Sequence, residues 1–206
     1  MIMDDTVKEK VKKIKQSFRL VMNGPASQSM RDKGLQYKLN WGVPIPTLKA
    51  MAKEYGKDYD LAIELFKEDI RECKILATMI MPPERMLPEI VDVWMEQTTQ
   101  NEIAEQLAFN LLQYLEYAPV LAFEWIAGDK PIYKLTGYHL LSRLFMKGKE
   151  PDERGINEFL DQIEADLQGN DTTVKHAAYN CLLRFCDLNN DYDRIASKAL
   201  KHLNIL

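Results

Sequence analysis

The sequence predicts an all-α chain built as an α-solenoid, and three observations predict it. Apolar residues recur at spacings of three and four along the chain, and no convincing period-2 strand interrupts them. Prolines and capping residues stand where helical segments open, and glycines fall in the gaps. The helical segments form pairs, and the pairs recur.

At the N-terminus Val7, Val11, Ile14, Phe18 and Val21 mark the buried stripe of a first helix. The stretch NWGVPIPTLKAMAKEYG, residues 40 to 56, then gathers Trp41, Gly42, Pro44 and Pro46 into a stiff turn. Each proline fixes its own φ near about −65° and restricts the residue before it, so few entry angles remain for the helix that follows. Leu48, Met51, Ala52 and Tyr55 are that helix's apolar stripe. Residues 1–56 read as basic N-terminal helices with a Pro-rich entry and residues 57–206 as helical-pair repeats, within one domain spanning 1–206.

Four second helices align beneath one another: DIRECKILATMI (69 to 80), EIAEQLAFNLLQ (102 to 113), IYKLTGYHLLSRLF (132 to 145) and TVKHAAYNCLLRF (173 to 185). Each follows another helix, in order DYDLAIELFK, ERMLPEIVDVWMEQ, APVLAFEWIA and the 152 to 168 segment. Ile70, Ile103, Tyr133 and Val174 occupy one register, at spacings of 33, 30 and 41 residues. A two-helix unit of roughly 30 to 45 residues is the period of HEAT and armadillo arrays. The last unit, D-x-x-V-K-x-x-A-x-x-x-L from Asp171 to Leu182, fits the HEAT pattern best.

In three of the four helices the aligned residue is followed by a cation, Arg71, Lys134 or Lys175, and in the fourth by Ala104. Stacked repeats would set these cations in a row, where a phosphate backbone is the natural partner. The competing reading pairs each cation with a carboxylate of the next repeat, a stacking role alone. Trp94 and Trp125 lie on apolar faces of first helices, where packing is the expected role.

Composition narrows the function classes. An apolar share of 46% with 28% charged residues is that of a globular protein, which excludes disordered and collagen-like classes. No run approaches the roughly 20 apolar residues of a membrane span, and the opening MIMDDTVKEKVKKIKQ is charged where a signal peptide is apolar. A cytoplasmic protein without membrane contact is expected. Cys73, Cys181 and Cys186 show no CxxC spacing, and His139, His176 and His202 form no HExxH or HxH pair, so reduced thiols, no metal and no cofactor are expected. Charge is uneven: residues 1–53 carry 11 Lys and Arg against 4 Asp and Glu, a balance of +7, which leaves −11 of the net −4 to residues 54–206. A basic end points to a polyanion. The acidic remainder points equally to a protein-binding surface.

The run WGVPIPTLKAMAKEYG, followed by KEDIRECKILATMI and three further helical pairs, resembles the DNA alkylation repair proteins of the AlkD type, which are HEAT-like repeat DNA glycosylases. Gly42, Val43, Pro46 and Lys49 fit the family's entry pattern, and Arg71, Glu72 and Ala77 fit its Arg-Glu helix start. The resemblance implies a curved solenoid holding duplex DNA on a concave basic face. It also implies hydrolytic excision of N3- or N7-alkylated purines by a carboxylate flanked by tryptophans, without a metal. A cationic base is already a good leaving group, so negative charge placed at the sugar is the useful stabilisation.

The family's Trp-x-x-x-Asp element is missing from TTQNEIAEQLAFNLLQ, where Glu102 and Glu105 are the substitutes available. The family's arginine beside the lesion falls near Thr136 and its later tryptophan near Asn180, with Tyr138 and Tyr179 as replacement aromatic faces. The candidate nucleic-acid contacts are therefore Arg71, Lys74, Lys134, Tyr138, Lys175 and Tyr179. Three functions stay open: a DNA glycosylase, a catalytically inactive nucleic-acid binder, and a protein-binding HEAT scaffold. A monomer is expected.

Overall fold

A computed structural model describes residues 2–203 and 205, with side chains from Thr6 onward. Among the described residues there are α-helices, short 3-10 turns and a single isolated β-bridge between Leu39 and Ile70, with no strand. The fold is all-α, of HEAT-like helical repeats. The chain divides into two compact units, Met1–Leu111 and Leu112–Leu206.

The first unit holds α1 (Ile2–Leu20), α2 (Gly24–Asp32), α3 (Ile45–Tyr55), α4 (Tyr59–Lys67), α5 (Arg71–Ile80), α6 (Pro88–Glu96) and α7 (Asn101–Asn110). Helices α4 and α5 pack as a pair, α1 lies on α4, and α5 is flanked by α3 and α7. The basic N-terminal helix thus packs on α4 and the helix after the Pro-rich entry on α5. The core between them includes Leu61, Leu65, Phe66, Ile75 and Leu76, all at most 1% exposed. Burial of such side chains contributes about 1.5–3 kcal/mol each. Trp94 of α6 stacks flat on Phe66 of α4 at 3.9 Å, the packing role expected of it.

The second unit holds α8 (Ala118–Ala127), α9 (Pro131–Met146), α10 (Glu153–Gln168), α11 (Thr172–Cys186) and α12 (Asn190–Ala199). Pairs α8/α9 and α10/α11 are joined through α9 against α11, second helix on second helix. Gly137, in mid-α9, permits the close approach to α8: a Cβ there would meet Ile126 Cγ2 at 2.9 Å and the Ala122 carbonyl oxygen at 3.0 Å. Phe145, Phe159, Phe185 and Tyr192 form a chain of aromatic contacts with centroids 4.9 to 5.6 Å apart.

Helix starts follow the punctuation. Asp58, Asp152 and Asp171 accept hydrogen bonds from first-turn amides of α4, α10 and α11, satisfying donors that a helix start leaves open. Prolines stand in the first turns of α3, α6, α8 and α9. Gly56, Gly128 and Gly169 close α3, α8 and α10. Among the described residues no helix is long and apolar enough to cross a membrane, and no group of three or more His, Cys, Asp or Glu is placed to hold a metal ion. Cys73, Cys181 and Cys186 are unpaired.

Candidate nucleic-acid interface

The Pro-rich entry and the Arg-Glu helix start meet in space. Glu72, fully buried on the first turn of α5, accepts from the backbone N–H of Trp41 at 3.3 Å and of Val43 at 3.1 Å. Gly42 makes this possible: its φ is +70°, and a Cβ there would lie 2.2 Å from the Asn23 carbonyl oxygen. A left-handed φ combined with backbone contact on that scale admits glycine alone.

Arg71, 1% exposed, forks onto Glu102 of α7 through Nε at 2.8 Å and Nη2 at 2.6 Å. Its Nη1 donates to the Val43 carbonyl at 3.0 Å and to Glu72 at 3.2 Å. Burial opposes charge on Arg71, but Glu102 and then Glu72 outweigh it and raise its pKa. The expected phosphate contact at Arg71 is therefore replaced by a structural one, because every arm of the guanidinium is spent inside the protein. Lys74 is likewise buried: its ammonium sits 4.3 Å above the Phe66 ring and donates to the Phe66 carbonyl at 2.9 Å. It too is out of reach of a phosphate, and burial lowers its pKa.

Glu102 also accepts from the Tyr37 hydroxyl at 2.8 Å, so this candidate carboxylate is closed by Arg71 and Tyr37 together. Burial first, and Glu102 second, raise the Tyr37 pKa. Glu105, three residues along α7, is half-buried and has no hydrogen-bond partner among the described residues. Burial, then the neighbouring Glu102, raises its pKa.

In the second unit Lys134 of α9 donates to Asp166 of α10 at 2.7 Å, and the fully buried Tyr138 hydroxyl donates to the other oxygen of the same carboxylate at 2.5 Å. Tyr138 is thus core rather than an aromatic face for DNA. Burial first and Asp166 second raise its pKa. Thr136 is also fully buried, its hydroxyl turned onto the Ile132 carbonyl. Lys175 and Tyr179, one turn apart on α11, differ from all of these. Lys175 is half-exposed with no ion pair among the described residues, and Tyr179 is exposed. His176, Asn180 and Arg184 extend the same exposed face.

A model of the family described as DNA alkylation repair enzyme matches residues 14–191. The chain belongs to the DNA alkylation repair enzyme family. A solved structure described as "a new family of proteins related to the HEAT-like repeat DNA glycosylases with affinity for branched DNA structures" superposes with a TM-score of 0.81 at 19% identity. The match covers 92% of this chain and 81% of that one. No curated protein matches the sequence.

Within this DNA alkylation repair family member, two junctions escaped sequence reasoning: Tyr37 on Glu102, and Asp166 under both Lys134 and Tyr138. A signal for the first ladder pair existed. Arg71 to Glu102 spans 31 residues, close to the local register spacing of 33, whereas Lys134 to Asp166 spans 32 against a local spacing of 41 and ends on the first helix of the next pair. A cation and a carboxylate one period apart are placed to stitch consecutive repeats.

Proposed function

We propose that this DNA alkylation repair family member binds DNA through its phosphate backbone, with preference for branched over linear duplex, and does not depend on base excision. Family membership and the solved relative's affinity for branched DNA support the class of ligand. The observation that carries the non-excising part is the closure of Glu102. A carboxylate forked by Arg71 and capped by Tyr37 has little negative charge left to offer a developing cation. Lys175, with Tyr179 one turn on, is the predicted cation of the ladder still open to a phosphate.

The test is a titration of the full-length protein with linear duplex and with three- and four-way junctions at about 50 and 200 mM salt. Junctions should bind more tightly, and affinity should fall steeply with salt as counterions are released. Lys175→Glu should weaken all forms and reduce the salt slope by about one. Absence of binding to any form at the lower salt overturns the proposal.

A second reading is favoured by one observation, the unpartnered and half-buried Glu105. Its raised pKa would fall again beside a cationic purine, since an opposite charge favours the ionised form. Release of alkylated purine from methylated duplex above the spontaneous rate, abolished in Glu105→Gln, would establish this reading. No release at high protein concentration removes it.

A further inference from the structure

The first unit carries a cleft of about 530 Å³ between α1, the segment around residues 39–41, and α4. Its α1 wall is Lys8, Lys12, Lys15 and Arg19, at spacings of four, three and four, so all four stand on one stripe. Glu64 of α4 and Glu68 just after it face them, and Trp41 and Leu39 complete the lining. Neither the DNA-binding reading of α11 nor the Arg71 junction uses any of these side chains.

We propose that this cleft holds an unpaired strand of nucleic acid, with phosphates along the α1 stripe and a base against Trp41. Lys12 and Arg19 are exposed and have no ion pair among the described residues, while Lys15 is held by Glu68 at 2.9 Å. From Lys8 to Arg19 the helix rises about 16 Å. An unstacked strand, roughly twice as long per nucleotide as the ~3.4 Å rise of duplex, lays two or three phosphates over that row.

The volume lies within the range of single-ligand pockets, roughly 300–1,000 Å³, which admits a nucleotide. A basic groove beside an aromatic face is the recurring construction of single-strand sites. Trp41 leans on Phe18 at 5.5 Å, which holds its ring in place. Leu20, the last residue of α1, and Val21 and Met22 after it are exposed, and Asn23 N–H ties that segment to the Trp41 carbonyl at 2.8 Å.

The two glutamates, Glu68 paired with Lys15 and Glu64 with Lys67, keep acceptor sites for a strand whose base edges are open. Carboxylates accept from the exocyclic amino group of cytosine, and that edge is occupied in a duplex. A lipid surface fits less well, because the apolar stripe of α1, Val11, Ile14 and Phe18, is buried in the protein's own core. The inference rests on the DNA-binding reading above and adds the strand that leaves the pairing at a branch.

The experiment uses the full-length protein, a labelled short oligo-dC and a linear duplex. In the double variant Lys12→Glu/Arg19→Glu, oligo-dC should bind about tenfold more weakly while duplex affinity changes less than about twofold, because the steering charge is confined to the cleft. Both positions are exposed, so circular dichroism should be unchanged. Oligo-dC should quench the intrinsic fluorescence, and Trp41→Phe should abolish the quench, since Trp94 and Trp125 are buried.

Undetectable oligo-dC binding by the wild-type protein overturns the inference, as does single-strand affinity retained in the double variant or a quench that survives Trp41→Phe. Binding to phosphatidylserine vesicles that needs Lys12 and Arg19, without oligo-dC binding, reassigns the stripe to lipid headgroups. Trp41-dependent oligo-dC binding in a protein that ignores duplex and junctions sinks the α11 reading and keeps this one.

Discussion

Arg71 and Lys134 occupy one register position of the repeat, yet the two units fasten them differently. In the first unit a guanidinium is sealed among Glu102, Glu72 and the Val43 carbonyl, and a second carboxylate partner binds the entry loop. In the second unit a part-exposed ammonium shares one carboxylate, Asp166, with a tyrosine. A planar fork with several fixed acceptors holds orientation, whereas a point charge on a flexible stem holds only distance. The lesson is that a ladder of cations in a repeat sequence is first a set of fasteners, and is left open to a ligand only where, as at Lys175, no carboxylate pairs with it among the described residues.

The largest expected effect breaks the first fastener. Arg71→Ala strands Glu72 and Glu102, both deprived of their shared cation, and should cost about 3–5 kcal/mol by urea unfolding. Hydrogen exchange should rise in α5, α7 and the Trp41–Val43 segment. Arg71→Lys should recover little of this, since an ammonium cannot reproduce the fork.

Next comes the contribution of the second unit to the acid limb. Burial lowers the His139 pKa to about 4, so the folded state resists protonation that the unfolded chain accepts near about 6.5. The stabilisation is present above pH about 6.5 and is lost as pH falls through about 4, a change of order 3 kcal/mol. His139→Gln should flatten the pH–stability curve over that window.

Breaking the second fastener should cost less. Asp166→Ala is expected to lose about 2 kcal/mol, and Asp166→Asn less, because the amide oxygen still accepts from Tyr138. Equal losses for Arg71→Ala and Asp166→Ala would erase the contrast between the units.

The smallest effect tests the cap on Glu102. Tyr37→Phe should cost about 1 kcal/mol at neutral pH. The raised Tyr37 pKa gives stabilisation that is full below pH about 10 and shrinks as pH rises, so the variant should have the flatter alkaline limb.

Much of the fold was legible because it is written in local chemistry. Asp58, Asp152 and Asp171 announce helix starts by what one side chain does to amides two or three residues on. The stripes of α4 and α11 follow from periodicity. The site was less legible, since the fate of a cation depends on partners far along the chain. Nothing near Arg71 in sequence tells that Glu102 closes it, nor that Tyr138 turns its hydroxyl onto Asp166. The basic N-terminal excess was visible as a sum, but the cleft it lines depends on Trp41, Glu64 and Glu68, which only packing brings to α1.

The grip of Glu72 on residues 41 and 43 has a consequence for how the array ends. A repeat stack exposes an unpartnered face at its first layer and needs an end plate there. Helices α1 and α3 cover the α4/α5 pair, and the loop Trp41–Pro46 that leads into α3 is bolted there by one carboxylate that has no water to turn to. A chain begun at Asp58 would keep α4 and α5 whole but strip Glu72 of both amide donors. The loop and its Arg-Glu anchor are thus one fastened unit, and a cut between them leaves a buried carboxylate short of donors.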